Sequence, residues 1–336
     1  MTTTEHEITT PVALVRPDGR LNADAVGFTR TPLHDTDGIG RGAYGLGRNQ
    51  RWEYWGVATP SHIVAITVSN LDYAGLHQVW LLDRASGEEI DATTITPLRT
   101  AVTLPGTLGA GRAHVKAGGL EITIDEVDGG TRLRATTARV SFDIVAGRPD
   151  GHESLGVVVP WNRRLFQYTV KDVARPASGT ITVDGSATAI ADGESWAVLD
   201  HGRGRWPYSL SWNWGAGSGV VDGRVIGVQL GGRWTVGTRS TENALFVDGR
   251  LHKISEELDW SYDREDWLAP WTISGERVGL TFTPFHDRVS STNLGVIASA
   301  THQCFGHYSG WMTDDAGSRI RIDGVLGWAE DVHNRW

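Results

Sequence analysis

The sequence predicts an all-β protein, built as two antiparallel barrels or sandwiches in tandem. Three observations carry that expectation. Asp-Gly recurs at 18–19, 37–38, 128–129, 150–151, 184–185, 192–193, 222–223, 248–249 and 323–324, and both residues tolerate the positive φ that tight hairpins require. Between these turns, apolar and polar residues alternate with a period of two. Helical periodicity is nearly absent, its one candidate being the short stretch 253–258. Many short strands with Gly-rich turns mean a sandwich or a barrel.

Taken in order, Leu120, Ile122 and Ile124 face one side of a strand while Glu121, Thr123 and Asp125 face the other. Val140, Phe142 and Ile144 repeat the pattern. After a polar strand over 165–171 comes the turn-rich Ala174-Arg-Pro-Ala-Ser-Gly179, and Thr180-Ile-Thr-Val-Asp-Gly185 begins a fresh hairpin. A chain of 336 residues is comfortable for two domains, so the boundary is placed there, giving domains 1–178 and 179–336. Further on, Val225, Gly227 and Gln229 oppose Ile226, Val228 and Leu230. The charged stretch 256–267, with Asp259 and Asp263 around Trp260 and Trp267, reads as a lid or a plain connector. No short-period repeat points to a propeller or solenoid.

Composition narrows the function classes. With 40% hydrophobic and 21% charged residues the chain is globular. Thirty-one basic against 40 acidic residues leave −9, which argues against a general nucleic-acid or anionic-membrane binder. The single Cys304 excludes an intramolecular disulfide and a cysteine zinc site, and its apolar setting reads as an inert buried thiol. Met1-Thr-Thr-Thr-Glu-His-Glu7 has no basic start or apolar core of a signal peptide, and no apolar run approaches a membrane span, so a soluble cytoplasmic protein is expected.

Familiar motifs fail their context tests. Gly40-Arg-Gly-Ala-Tyr-Gly45 spells G-x-G-x-x-G without a preceding strand or a following apolar helix. Gly215-Ala-Gly-Ser-Gly219 lacks the glycine two before Ser218 that a nucleophile elbow needs. His302 and His307 are wrongly spaced for two ligands on one helix face. No metal and no cofactor are expected. Lys171 reads as a solvated lysine.

The densest chemistry lies between 196 and 219. Trp196, Val198 and Asp200 share one strand face, where desolvation would raise a carboxyl pKa and keep it protonated. The neighbouring His201, Arg203 and Arg205 pull the other way. Tyr208, Leu210, Trp212 and Trp214 then alternate on one face. Fifteen tryptophans fit either a bulky β core or an aromatic-walled cavity for a small molecule.

The motifs Arg51-Trp-Glu-Tyr-Trp55, Gln167-Tyr-Thr-Val-Lys171, Leu199-Asp-His-Gly-Arg-Gly-Arg-Trp-Pro-Tyr208, Thr241-Glu-Asn243, His302-Gln-Cys-Phe-Gly306 and Gly327-Trp-Ala-Glu330 resemble a bacterial family of unknown function in the lipocalin-like double-barrel group. Its distant characterised relatives include carotenoid 1,2-hydratase, tocopherol cyclase and fungal pericyclases. The resemblance implies two lipocalin-like barrels, a ligand cavity at or near their junction, and cofactor-free acid chemistry on isoprenoid-like substrates. Asp200-His201-Gly-Arg-Gly204 resembles the hydratase outline at Asp, His and the final Gly, while Arg203 and Arg205 depart from it. On that reading Asp200 protonates an alkene, and Trp206, Trp212, Trp214 or Trp271 stabilises the cation. His201 or His302 orients water or accepts the final proton. Arg203 or Arg205 could hold a phosphate or carboxylate of the substrate.

Two other classes stay open. A glycoside hydrolase would pair Asp200 with Glu242 or Glu330 and stack sugars on aromatic platforms. A carrier would use Asp200 and Arg203 as a structural clamp across a barrel mouth, with tryptophans lining a storage pocket.

Overall fold

A computed structural model describes residues 5–40, 45–97, 101–293 and 298–335. The described chain is almost all β-strand, and its one helical element is the 3-10 turn Ala23–Ala25. The turn signals are used as turns. Asp184-Gly185, Asp222-Gly223 and Asp248-Gly249 have positive φ at both residues and close two-residue hairpins. The Gly40–Gly45 loop lies largely outside the described residues.

Two compact units are present, one of residues 8–206 and one of 1–7 with 207–336. The first holds a large curled antiparallel sheet whose central strands are Asn49–Ala58, Trp196–Arg205 and Phe166–Val183, paired in that order. One core joins Val64 and Ile66, near one end of the strand order, with Val115 and Ile122, near the other, so the sheet curls around a single interior. The second unit holds another curled antiparallel sheet, around a core of Ile226, Val228, Leu230, Trp271, Phe282 and Tyr308. Both are half-barrels of lipocalin-like kind.

The 174–179 segment, read from sequence as a boundary, lies inside strand Phe166–Val183. A register shift between Asp172 and Arg175, with Ala174 at φ 58°, kinks the strand there. Through Pro176 it pairs with Trp196–Arg205, and from Ala177 on with Val140–Gly147. Pro176 and Gly179 therefore lie past the bulge in a continuous strand, paired with Trp196 and Ile144. The candidate helix 253–258 is instead the end of strand Arg250–Ile254 and the connector after it, because the Asp248-Gly249 turn commits those residues to a hairpin. Stretch 256–267 is packed, and its Asp259–Ser261 is a strand paired with Trp271–Ser274. Glu256 accepts the backbone N–H groups of Glu276 and Arg277 at 2.9 and 2.8 Å, and Trp260 and Trp267 lie against the core.

The kink is stitched by a buried ion pair. Arg175 is fully buried and donates to Asp172 Oδ2 at 2.7 Å and to the Ala146 carbonyl at 2.6 Å, while His152 meets Asp172 Oδ1 at 2.7 Å. Burial alone would raise the Asp172 carboxyl pKa, but Arg175 and His152 hold it below the usual range. Removing one partner of such a pair leaves an uncompensated buried charge. Arg175→Met is therefore expected to cost about 3–5 kcal/mol, read as a lower urea midpoint, and an unchanged midpoint would show that the pair does not brace the bulge.

Candidate active site

Strand Trp196–Arg205 runs between Asn49–Ala58 and the first part of Phe166–Val183. Alternation sorts its motif into two faces. Asp200, Gly202 and Gly204 face away from the interior of the curled sheet. Ala197, Leu199, His201, Arg203 and Arg205 face into it, in line with core residues Trp55 and Val57.

On the outer face, Asp200 is a paired carboxylate. Lys171 Nζ stands 3.0 Å from Oδ1, the Thr169 hydroxyl donates to Oδ1 at 3.0 Å, and Trp52 Nε1 donates to Oδ2 at 3.2 Å. Lys171, expected in solvent, is buried there. The glycines of the motif have a steric reason. A Cβ on Gly202 would stand 2.1 Å from the Trp52 indole, and one on Gly204 2.2 Å from Gln167 Oε1. That Gln167 oxygen accepts Trp206 Nε1 at 2.6 Å, and Trp206 packs edge-on to Trp52 with centroids 5.3 Å apart. Three donors thus converge on the one carboxylate that the sequence suggests as a proton donor.

The inner face is chemically richer. Glu53 lies directly across from His201, and Arg203 directly across from Tyr168. All four are buried. Glu53 Oε1 stands 3.6 Å from both His201 Nδ1 and Arg203 Nη2, just beyond a direct hydrogen bond. The Tyr168 ring meets the His34 ring at 4.4 Å and the His201 ring edge-on at 6.2 Å. Arg203 is pinned by the carbonyls of Trp52, Gly202 and Pro105, each at 2.9 Å. His34 donates Nε2–H to the Ala25 carbonyl at 2.9 Å, which leaves Nδ1 as an acceptor.

Polar atoms at this face lack hydrogen-bond partners. Glu53 Oε1, both His201 nitrogens, Arg203 Nε, Tyr168 Oη, Thr29 Oγ1 and His34 Nδ1 are all buried without one. Buried polar groups are nearly always satisfied, so such a concentration singles this face out as the candidate site. Burial, then the Arg203 charge, lowers the His201 pKa to about 4, against a smaller opposing pull from Glu53. Burial lowers Arg203 to about 10, with Glu53 opposing, and raises Tyr168 well above a free phenol. At neutral pH the face therefore offers a neutral imidazole, a guanidinium and a neutral phenol.

Of the remaining expected residues, Arg205 and Trp206 share unit 8–206 with Asp200, and the others belong to unit 207–336. Arg205 donates Nε–H to Asn49 Oδ1 at 2.8 Å on the inner face. Tyr208 is exposed. Trp212 Nε1 donates to Glu330 Oε1 at 3.0 Å, and Gln303 donates to Glu330 Oε2 at 3.2 Å. Trp214 packs on Trp328 and donates to Gln229 at 2.9 Å. Trp271 is a core residue stacked on Tyr262 at 4.1 Å. Glu242 is buried and accepts Trp234 Nε1. His302 meets Asp287 Oδ2 at 2.9 Å and stacks on Trp267 at 3.9 Å, while Cys304 is a buried free thiol. Most of these indoles thus serve packing and carry satisfied N–H groups. The carboxylates of the glycosidase reading fall in different units, Asp200 in 8–206 and Glu242 and Glu330 in 207–336.

Glu53, Tyr168, His34 and Thr29 are absent from the residues that sequence reasoning singled out. A signal existed for two of them. Glu53 and Tyr168 sit inside motifs already noted, each flanked two residues on by an apolar in-facing residue, Trp55 and Val170. Among the described residues no helix is long and apolar enough to cross a membrane, and no group of three or more His, Cys, Asp or Glu is placed to hold a metal ion.

Residues 5–336 match the profile of a domain of unknown function, DUF2804. No curated protein matches the chain. Solved structures with the same fold include CghA with Sch210972, 11% identical, covering 86% of this chain and 89% of that one, with a TM-score of 0.55. Kievitone hydratase from Nectria haematococca is 12% identical over 91% and 95% of the two chains, TM-score 0.52. An AttH-like protein from Nitrosomonas europaea is 14% identical over 95% and 98%, TM-score 0.52. Identities this low carry the fold alone.

The depressed His201 pKa has a measurable consequence. Between pH 6.5 and about 4 the unfolded chain binds a proton at this residue that the folded chain excludes. Stability is therefore expected to fall as pH drops through that window, by on the order of 3 kcal/mol for the full shift. Urea titrations from pH 7 to 4 should show a shallower loss for His201→Gln than for the unaltered protein; His77, lowered to about 4 by burial, keeps part of the slope in both. Equal slopes would mean that His201 titrates normally.

Proposed function

The chain belongs to the DUF2804 family, and we propose that it is a cofactor-independent enzyme of the hydratase or cyclase type that acts on a small hydrophobic molecule by proton transfer. The observation that carries this reading is the buried inner face of unit 8–206, where His201, Glu53, Arg203 and Tyr168 hold unsatisfied polar atoms side by side. His201 is the neutral base. Its proton-accepting nitrogen is available because burial keeps it uncharged at pH 7. Glu53, 3.6 Å away, stabilises the imidazolium once it forms. Tyr168 and Arg203 are the donors that face developing negative charge. The apolar residues around them, Trp55, Leu199, Phe166 and Val170, exclude water and strengthen each of these interactions. The hydratase named among the solved structures of the same fold is consistent with this class of reaction. Asp200, ion-paired on the opposite face, steadies the strand that carries the base.

The reading predicts solvent deuterium uptake. The purified protein, incubated in D2O with a dialysed-in small-molecule extract of its source cells and no added cofactor, should convert at least one compound into a product carrying carbon-bound deuterium. His201→Gln should lower that rate by about a hundredfold or more. Turnover kept in His201→Gln and lost in Asp200→Asn would return the chemistry to the outer face, and a ligand bound without turnover would make the protein a carrier.

A further inference from the structure

The motif Thr241-Glu242-Asn243 lies outside unit 8–206 and leads into the hairpin of strands Asn243–Val247 and Arg250–Ile254, where Asn243 pairs with Ile254. The hairpin buries Thr241 and Lys253 together. Lys253 Nζ stands 2.6 Å from Thr241 Oγ1 and 3.3 Å from the Ile254 carbonyl, and Thr241 Oγ1 stands 2.9 Å from that same carbonyl. The hairpin itself thus fixes a cradle of one ammonium, one hydroxyl and the Thr241 backbone N–H. Glu5, 236 residues before Thr241 and part of the same compact unit, reaches into it. Its Oε1 accepts from Lys253 Nζ at 2.7 Å and lies 2.7 Å from the Thr241 hydroxyl and 3.2 Å from the Thr241 nitrogen. The Glu5 side chain is 2% exposed, and its Oε2 has no hydrogen-bond partner among the described residues. Every donor therefore grips one oxygen, whereas both oxygens of the structural carboxylate Asp172 are engaged.

We propose that this cradle is a binding site for a small monocarboxylate, and that Glu5 is the ligand the chain supplies to itself. The chemistry selects a carboxylate. An ammonium, a hydroxyl and a backbone N–H directed at one oxygen form charge-assisted hydrogen bonds that a neutral oxygen makes only weakly. Burial lowers the Lys253 pKa, opposed first by Glu5 and then by Glu242, while Arg277 adds to the lowering. A cradle without its carboxylate therefore leaves a buried ammonium short of the group bonded to it, and an anion relieves that where a neutral molecule does not. The cradle outlasts its occupant, because Lys253 and Thr241 are bonded to each other and to Ile254. A grip on one oxygen also makes no demand on the rest of the glutamate side chain, so any carboxylate that brings an oxygen to this point meets the same donors. In the intact chain Glu5 competes from within the molecule at high effective concentration, so an outside carboxylate enters only by displacing it. The proposal is independent of the chemistry assigned to unit 8–206.

The probe is acetate, which has the outline of the methylene and carboxylate that Glu5→Ala removes, with acetamide as its neutral isostere and sodium chloride as the control for ionic strength. Glu5→Ala is expected to unfold at a lower urea midpoint than the unaltered protein. Acetate at about 100 mM should restore about half of that loss or more, with saturation, while acetamide and chloride restore none. The unaltered protein should respond to acetate no more than to chloride. Glu5→Ala/Lys253→Met, which has lost the ammonium as well, should lose the acetate response. If Glu5→Ala does not fold by itself, refolding from urea in acetate and in acetamide reads the same point, and recovery in acetate alone supports the site. An unchanged midpoint in Glu5→Ala, equal effects of acetate and chloride on it, recovery in neither additive, or an acetate response that survives Lys253→Met each overturns the proposal.

Discussion

Successive side chains of a β-strand point to opposite faces, and strand Trp196–Arg205 turns that two-residue period into a division of labour. Its run Asp-His-Gly-Arg-Gly-Arg sends one carboxylate and two glycines outward, and one imidazole and two guanidinium groups inward. The outward glycines let Trp52 and Gln167 lie flat on the strand, which sets the indole that donates to Asp200. The inward residues meet Glu53 on one neighbouring strand and Tyr168 on the other. A register slip of one residue would exchange the faces and place two arginines where the indole lies.

Keeping ionisable groups inside a barrel is costly, and the fold meets that cost in two ways. Asp172 and Arg175 are satisfied by each other, by His152 and by backbone carbonyls, so they brace a bulge. Glu53, His201 and Arg203 are only partly satisfied, with 3.6 Å separations and vacant hydrogen-bonding atoms. The first arrangement is what structural ion pairs look like. The second leaves hydrogen-bonding capacity unused in the resting protein, which under the proposed function a substrate's polar atoms take up.

The strand architecture was legible in the sequence because turn chemistry and alternation are local. Asp-Gly at 184, 222 and 248 gave hairpins, and Leu120, Ile122 and Ile124 faced the core as their spacing requires. The 174–179 segment is harder, since Pro176 and Gly179 read as a linker yet hold ladder positions just past a bulge. The site was half legible. His201 and Arg203 stood out as charged residues in an apolar strand, but the sequence could not say which face was interior, so Asp200 took the emphasis. Glu53 and Tyr168 lie 148 and 33 residues from His201 in sequence and meet it only through sheet pairing, and Lys171 is buried against its cross-strand partner Asp200, a neighbour no local pattern reveals. The tryptophans are hard to read for a related reason: their indole N–H partners, such as Gln229 and Glu330, are set by sheet pairing and not by local sequence.

The central claim is that the inner face of unit 8–206 receives a polar molecule. A crystal structure of protein purified without harsh washing, at a resolution that shows ordered solvent, tests it most directly. The account predicts density for a ligand or ordered waters within hydrogen-bond distance of Glu53 Oε1, His201, Arg203 Nε and Tyr168 Oη. A face in which those four groups bond directly to one another, with no density between them, would contradict it.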